Sequence, residues 1–178
     1  MNYRKHITVI IALFSLVFFG FGIPKNVQKK MDKEVAEVFE TENYTMQPIS
    51  VSKALNEQLP TKITAENFFK IKQGDTLLGY AFIDQAPSKT AKFDYLIIFN
   101  SKLEIIHSKV LIYREEYGGE IGSRRWLEQF IGKSGNDRVS HESNIDGIAG
   151  ATISVRSMTT AIDDLLQTIG KLKANKVL

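Results

Sequence analysis

One stretch near the C-terminus combines residue types that can bind an anion. Residues 144–154 read Asn-Ile-Asp-Gly-Ile-Ala-Gly-Ala-Thr-Ile-Ser, a run of small residues that leads into a helical pattern. The first N–H groups of a helix have no partner within the helix, and the helix dipole places positive charge at that end. Gly147, Gly150 and Ala151 would let an anion approach the main chain, and Thr152 and Ser154 place hydroxyls near the N-cap. The pattern favours a phosphate site, with an ordinary turn and helix cap as the alternative.

The helix after this loop must hold these residues in place. Its apolar side chains recur every three or four positions, which is the spacing of one helix face. The stripe comprises Val155, Met158, Ile162, Leu165, Leu166, Ile169 and Leu172, whereas Arg156, Thr160, Asp163, Asp164 and Lys171 are expected to face away. The pattern predicts an amphipathic helix that packs on the core, with the loop at its N-terminus.

The central part of the chain has the alternating pattern of strands. Apolar runs at 68–72, 76–83, 93–99 and 103–113 are separated by turn residues at 73–75 and 100–102 and by a loop around Pro87 and Ser88. They predict a four-stranded antiparallel meander. A short helix is expected over 123–132, with Trp126, Leu127, Phe130 and Ile131 on its inner side, followed by a loop over 133–143. Trp126 is expected to belong to the core.

The first 23 residues have the pattern of an export or anchor segment. Arg4 and Lys5 precede an uncharged apolar run from residue 7 to residue 23, which directs the following chain across a membrane. A cleaved signal peptide and a retained anchor both fit. In a bacterium we therefore expect a periplasmic protein, or one held at the periplasmic face of the inner membrane. Helices are expected at 25–41 and 50–59, joined by a loop at 43–48.

Composition excludes several functional classes. The chain has no cysteine, which rules out disulfides, thiol catalysis and iron–sulfur clusters. Arg4 and Lys5 supply two of the 23 basic residues, and the remaining 21 are balanced by 20 acidic ones, which is no signature of nucleic-acid binding. The three histidines lack metal-site spacing, and no Walker loop or Gly-x-Ser-x-Gly elbow is present. We assign no catalytic residue and no metal ligand.

The run Asp-Gly-Ile-Ala-Gly-Ala-Thr-Ile-Ser at 146–154 resembles the flavinylation motif of the FMN-binding domain family. That family includes flavin-carrying subunits of the sodium-pumping NADH:quinone reductase and of the Rnf complex. In the family a flavin transferase, acting on FAD with Mg²⁺, joins the phosphate of FMN to the hydroxyl of the Thr after Gly-Ala, which here is Thr152. The resemblance covers about residues 66–172 and includes the strand sequence Gly-Tyr-Ala-Phe at 79–82. The chain differs at Ala149, where the family usually has Ser or Thr.

The segment after Tyr113 is the second feature to which the resemblance points. It reads Arg-Glu-Glu-Tyr-Gly-Gly-Glu-Ile-Gly at 114–122 and lacks the Pro of better-known members. Arg114 and Glu120 could hydrogen-bond the polar edge of an isoalloxazine ring, and Gly119 would let the loop fold against the ring. A strand-to-helix turn with solvated charges is the alternative.

The resemblance implies an α+β fold, with a curved antiparallel sheet of about four or more strands packed by helices and preceded by a hydrophobic N-terminal helix. The chain is then divided into a signal peptide or anchor (1–23), a helical segment (24–65) and an FMN-binding domain (66–178). Within the site, Asp146 and Gly147 would shape the turn, Gly150 and Ala151 would hold the phosphate, and Ser154 would donate a hydrogen bond.

The expected function is that of an exported flavoprotein, with FMN linked to Thr152, that passes electrons between membrane or periplasmic redox proteins. Free FMN is scarce outside the cytoplasm, and a covalent link would prevent the loss of the cofactor there. Two rival functions stay open: an FMN-dependent reductase of a small substrate, and an exported module without flavin. A substrate-sized pocket over the flavin would favour the reductase, and a colourless protein would favour the module without flavin.

Overall fold

Five strands and four helices make up the part of the chain that the computed structural model describes, residues 22–178. The strands are β1 (Thr45–Pro48), β2 (Phe68–Gln73), β3 (Thr76–Pro87), β4 (Lys92–Asn100) and β5 (Ile105–Ile112). The helices are α1 (Lys25–Phe39), α2 (Lys53–Glu57), α3 (Arg124–Leu127) and α4 (Thr152–Ala174), with 3₁₀ turns at Gly119–Gly122 and Glu128–Phe130. The α+β class predicted from the sequence is confirmed.

The strands form one open antiparallel sheet in which neighbours in sequence are neighbours in space, in the order β1-β2-β3-β4-β5. The predicted meander corresponds to β2–β5, and the structure adds β1 at the edge. The loop predicted over 43–48 is therefore wrong, because Thr45 pairs with Lys72 and Pro48 pairs with Phe69. Only four residues pair, and Pro48 is tolerated because an edge strand has one side without a partner.

Both faces of the sheet are covered by helices, which makes β4 the centre of the core. Every residue from Phe93 to Phe99 is buried. Helix α1 lies on one face, where Val27, Met31 and Val35 are at most 1% exposed. Burying such side chains contributes about 1.5–3 kcal/mol each, so α1 is a substantial part of the fold.

Helix α4 covers the opposite face, and its predicted apolar stripe is confirmed. All seven residues of the stripe are buried. Asp163 was expected to face away, and this was wrong, since the residue is only 8% exposed. Its burial is possible because the Arg138 guanidinium binds the carboxylate at 2.7 Å.

The predicted helix over 123–132 is shorter than expected. Helix α3 ends at Leu127, and the following 3₁₀ turn ends at Phe130. Trp126 belongs to the core, as predicted. Its ring and that of Phe130 pack edge to face, with their centroids 5.2 Å apart. Ile131 was expected inside but is 43% exposed, because the backbone has already left the helical conformation there.

The predicted signal or anchor segment falls almost entirely on residues 1–21, which lie outside the described residues. Within residues 22–178, no helix combines the length and the apolar character that crossing a bilayer requires. The division of the chain at residue 66 stays a prediction.

Candidate functional site

The first turn of α4 leaves its main-chain donors free. Ala151 is the N-cap residue, and no side chain caps the helix. The N–H groups of Thr152, Ile153 and Ser154 have no acceptor among the described residues, whereas the Val155 N–H donates to the Ala151 carbonyl at 2.9 Å. Three unpaired donors and the positive end of a 23-residue helix make this terminus suited to an anion.

The loop before α4 turns through Gly150, whose φ of 81° lies in the left-handed region. A side chain there would be strained, although no atom within 4 Å would obstruct it. The Ala151 N–H donates to the Ile148 carbonyl at 3.1 Å, which closes the turn. The main chain at Gly150 is therefore open to solvent beside the free N–H groups.

An open cavity of about 390 Å³ lies at this terminus. Its lining combines the start of α4 with two other segments: Gly150, Ala151, Thr152, Ile153 and Ser154, then Lys89, and then Tyr113, Glu115 and Tyr117. Its volume falls within the range of small-ligand sites. Three larger grooves are found among the described residues. Two of about 670 Å³ lie along β5 and beside α1 and contain no motif residue, and one of about 460 Å³ lies along α4 and shares Ile153 but includes neither Gly150 nor Thr152. We therefore assign the site to the smaller cavity.

Of the two hydroxyls predicted for the site, only that of Thr152 is free among the described residues. Thr152 is exposed, and its Oγ1 atom forms no hydrogen bond within residues 22–178. Ser154 is 3% exposed, and its Oγ atom lies 3.0 Å from the Tyr113 hydroxyl. Ser154 thus joins α4 to the end of β5, while Thr152 lines the cavity and its hydroxyl has no partner among the described residues.

Gly118 allows the segment after β5 to pack directly on the start of α4. Its φ is 79°, and a Cβ atom there would lie 3.0 Å from both the Ala151 Cβ and the Tyr113 hydroxyl oxygen. A larger residue would push the two segments apart. Glycine at this position is therefore required for the cavity to keep its shape.

Asp146 and Gly147 lie in the loop but do not line the cavity. The Asp146 N–H donates to Gln129 Oε1 at 2.8 Å, and the Asp146 carbonyl accepts from Trp126 Nε1 at 2.8 Å. These two bonds fix the main chain of the loop to α3 and the turn after it. A Cβ atom at Gly147 would meet no described atom within 4 Å, so this part of the loop is open.

Arg114, Gly119 and Glu120 do not line the cavity that contains Thr152. The Arg114 guanidinium binds Asp94 at 2.5 Å and donates to the Lys92 carbonyl at 2.7 Å, so it joins the end of β5 to β4. Gly119 and Glu120 lie exposed in the 3₁₀ turn. Their role as flavin contacts stays a prediction.

The structure adds Glu115 to the site, which sequence reasoning missed. Its carboxylate accepts from the Ser88 hydroxyl at 2.6 Å, the Thr90 N–H at 2.6 Å, the Thr90 hydroxyl at 2.8 Å and the Ala91 N–H at 3.1 Å. Hydrogen bonds from Ser88 and then from Thr90 lower the pKa of Glu115 from 4.5 to about 2. The carboxylate is thus ionised at neutral pH and holds the turn between β3 and β4.

Lys89 and Tyr117 were also missed, for different reasons. Lys89 lies in the turn that Glu115 holds, so only the fold brings it to a helix that begins at Thr152. Tyr117 is 81% exposed, and Ile153 across the cavity is 50% exposed. Exposed large apolar side chains beside a cavity indicate a ligand or partner surface, and the sequence offered no sign that these two residues would line the same cavity.

Comparison with known families gives one match. Residues 89–167 match the family described as the FMN-binding domain. The matched segment begins at Lys89 and contains β4, β5, α3 and most of α4, and therefore every residue that lines the cavity. No curated protein matches the chain. The more specific resemblance to proteins of the sodium pump and the Rnf complex stays a prediction.

Proposed function

Residues 89–167 match the FMN-binding domain family, and from this premise we propose that the protein is a flavin electron carrier with FMN linked through its phosphate to Thr152. One observation supports the proposal above all: exposed Thr152, whose hydroxyl has no hydrogen-bond partner among the described residues, lines a cavity at a helix terminus with three free N–H groups. Such a terminus supplies donors and a positive dipole where a phosphate needs them.

The residues present fit both parts of the cofactor. For the phosphate there are the free N–H groups of α4 and the Lys89 side chain at the edge of the cavity. For the flat ring there are the exposed side chains of Tyr117 and Ile153, which offer an aromatic and an aliphatic surface. When bound, FMN would supply one- or two-electron transfer, and the protein would set its position and exposure.

Attachment requires a partner enzyme. In the proposed reaction Thr152 Oγ1 forms a bond to the FMN phosphorus of FAD, the pyrophosphate bond breaks, AMP leaves, and the hydroxyl proton passes to a base on the transferase. An aliphatic hydroxyl is a poor nucleophile without a base or metal. No described residue hydrogen-bonds the Thr152 hydroxyl, and the Glu115 oxygens are occupied by four other donors. Activation therefore comes from the transferase.

The exposed side chains at the cavity favour a carrier over a reductase. Tyr117 and Ile153, which line the cavity, are 81% and 50% exposed. Exposed apolar side chains beside a ligand site are typical of a surface that a partner protein covers. This favours exchange of electrons with redox proteins at Tyr117 and Ile153.

The place of action follows from the first residues of the sequence. Arg4, Lys5 and the apolar run to residue 23 favour export, with the domain in the periplasm or at the periplasmic face of the inner membrane. A covalent link would retain the cofactor there. The electron donor and acceptor would then be membrane or periplasmic redox proteins.

The test is the intact mass of the denatured full-length protein after coexpression with a flavin transferase. We expect a gain equal to FMN less one water, located on the peptide that contains Thr152. Thr152→Val should carry no covalent flavin, while Thr160→Val, at another exposed threonine of α4, should be fully modified. Covalent FMN on Thr152→Val would overturn the linkage, and a colourless wild-type protein would favour the flavin-free module.

A further inference from the structure

The turn between β3 and β4 is held in place by a residue that comes 25 positions after Thr90 in the chain. Glu115 accepts hydrogen bonds from Ser88, Thr90 and Ala91, which leaves Lys89 as the one residue of the turn 88–91 that Glu115 does not bind among the described contacts. Fixing the residues on both sides of Lys89 limits where its side chain can reach. The turn therefore presents Lys89 to the cavity at the start of α4.

The charge of Glu115 is compensated by hydroxyl and N–H donors and not by Lys89. Oε1 accepts three hydrogen bonds and Oε2 accepts one. Lys89 forms no ion pair and no side-chain hydrogen bond within residues 22–178, although it lines the same cavity as Glu115. The N-terminus of α4 carries the fixed positive charge of the helix dipole. The Lys89 ammonium adds a second positive charge on a flexible side chain. Both charges belong to residues that line the same cavity.

On this basis, and resting on the proposed function, we propose that Lys89 binds the flavin phosphate and that Glu115 is the positioning residue that holds the Lys89 turn at the site. The pair would make the site select a phosphorylated flavin over riboflavin. Lys89 adds a charge-assisted contact that only the phosphate can accept. Glu115 acts through the turn and does not touch the ligand.

The selectivity is tested on full-length protein carrying Thr152→Val, so that binding stays reversible. FMN and riboflavin are titrated separately and followed by the quenching of flavin fluorescence. Lys89→Ala should weaken FMN binding about tenfold and leave riboflavin binding unchanged, since one charge-assisted contact to the phosphate is lost. Lys89→Arg should restore most of the preference, and added salt should reduce it.

The matched control is Lys102→Ala, which removes the same charge from the turn between β4 and β5. Its FMN and riboflavin affinities should equal those of the parent. Glu115→Gln should lower the preference for FMN in the same direction as Lys89→Ala, and should speed amide hydrogen exchange at Thr90 and Ala91. A Lys89→Ala protein with an unchanged ratio of the two affinities would overturn the proposal and leave the carrier function intact.

A second measurement applies if free FMN and riboflavin bind too weakly to be titrated. With Thr152 intact, the initial rate of mass gain at limiting transferase should fall about tenfold in Lys89→Ala and stay unchanged in Lys102→Ala. Equal rates for the two variants would refute the role of Lys89. If the wild-type protein gains no mass and binds neither flavin, the carrier function itself fails, and the proposal for Lys89 fails with it.

Discussion

The first turn of α4 and the centre of the same helix use their polar groups in opposite ways. At residues 152–154 three N–H groups and a hydroxyl have no partner in the described chain. At the centre, Asp163 accepts from the Arg138 guanidinium, the Val139 N–H and the Gln167 amide. One turn further, Thr168 Oγ1 accepts from the Thr61 N–H at 2.9 Å.

This difference separates the scaffold from the site within one helix. Asp163 and Thr168 are buried, and a buried polar group without a partner would destabilise the fold, so each is bound by a loop that it fixes in place. Thr152 and Ile153 of the first turn are instead exposed, so water can satisfy their N–H groups in the absence of a ligand. Asp163 and Thr168 therefore contribute to stability, whereas Thr152 and Ile153 can be changed with little effect on the fold.

Gly135→Ala should cause the largest loss of stability. The loop after α3 passes so close to α4 that a Cβ atom at Gly135 would lie 2.7 Å from the Gly170 nitrogen. Main-chain atoms cannot move away as a flexible side chain can, so we expect the free energy of unfolding to fall by about 3 kcal/mol. Urea denaturation measures the loss. Gly147→Ala, where no atom lies within 4 Å, is the control and should change stability little; equal losses would contradict the comparison.

Asp163→Asn should have the next largest effect. The amide cannot form the ion pair with Arg138, and one of its two polar groups becomes a donor that faces other donors. We expect a loss of about 1–2 kcal/mol, measured by the shift of the urea midpoint at neutral pH. Asp164→Asn is the matched control, because burial and the neighbouring Asp163 raise the pKa of Asp164 and already disfavour its charge. A larger loss for Asp164→Asn would refute this account.

Thr159→Val should stabilise the protein. Its Oγ1 atom is buried and has no hydrogen-bond partner among the described residues, in contrast to the satisfied hydroxyl of Thr168. Valine has nearly the same shape, so the substitution removes an unsatisfied group without opening a cavity. We expect a gain of about 1 kcal/mol in thermal or urea denaturation. Thr168→Val, which removes a bonded hydroxyl, should instead destabilise; a loss in both variants would show that Thr159 has a partner in solution.

Glu115→Gln should give the smallest change, and one that depends on pH. The pKa of Glu115 is lowered from 4.5 to about 2, so its ionised form favours the folded state. The contribution of this carboxylate is therefore fully present above pH 4.5 and is lost as the pH falls toward 2. The stability difference between wild type and Glu115→Gln should shrink over that window, as measured by urea denaturation at several pH values. Glu116→Gln, which removes a carboxylate without a hydrogen bond among the described residues, is the control and should change stability little.

Local patterns predicted most of the elements but not all of their partners. The stripe of α4 and the strands of the meander follow from periodicity, which each segment carries in its own residues. Strand β1 was missed because four residues with a proline have no clear period, and they become a strand only by pairing with β2. The burial of Asp163 was missed because its partner Arg138 lies 25 positions away.

Part of the candidate site was likewise predicted from the sequence, and part was found only in the structure. The loop and the first turn of α4 were identified from adjacent residues, and the structure places Gly150, Ala151, Thr152 and Ser154 around one cavity. Lys89, Glu115 and Tyr117 join them only because the turn between β3 and β4 and the segment after β5 end at the same edge of the sheet. No spacing in the sequence encodes that meeting.

The sequence by itself determined the helix, its open N-terminus and the hydroxyl placed there, because hydrogen bonding along a helix depends on neighbouring residues. Only the tertiary structure decided that the Ser154 hydroxyl would hydrogen-bond Tyr113, whereas the Thr152 hydroxyl has no partner among the described residues. It also decided that Arg114 would bind Asp94 and that Glu115 would hold the turn of Lys89. Those outcomes depend on strand register, and register is set by the packing of the whole sheet between α1 and α4.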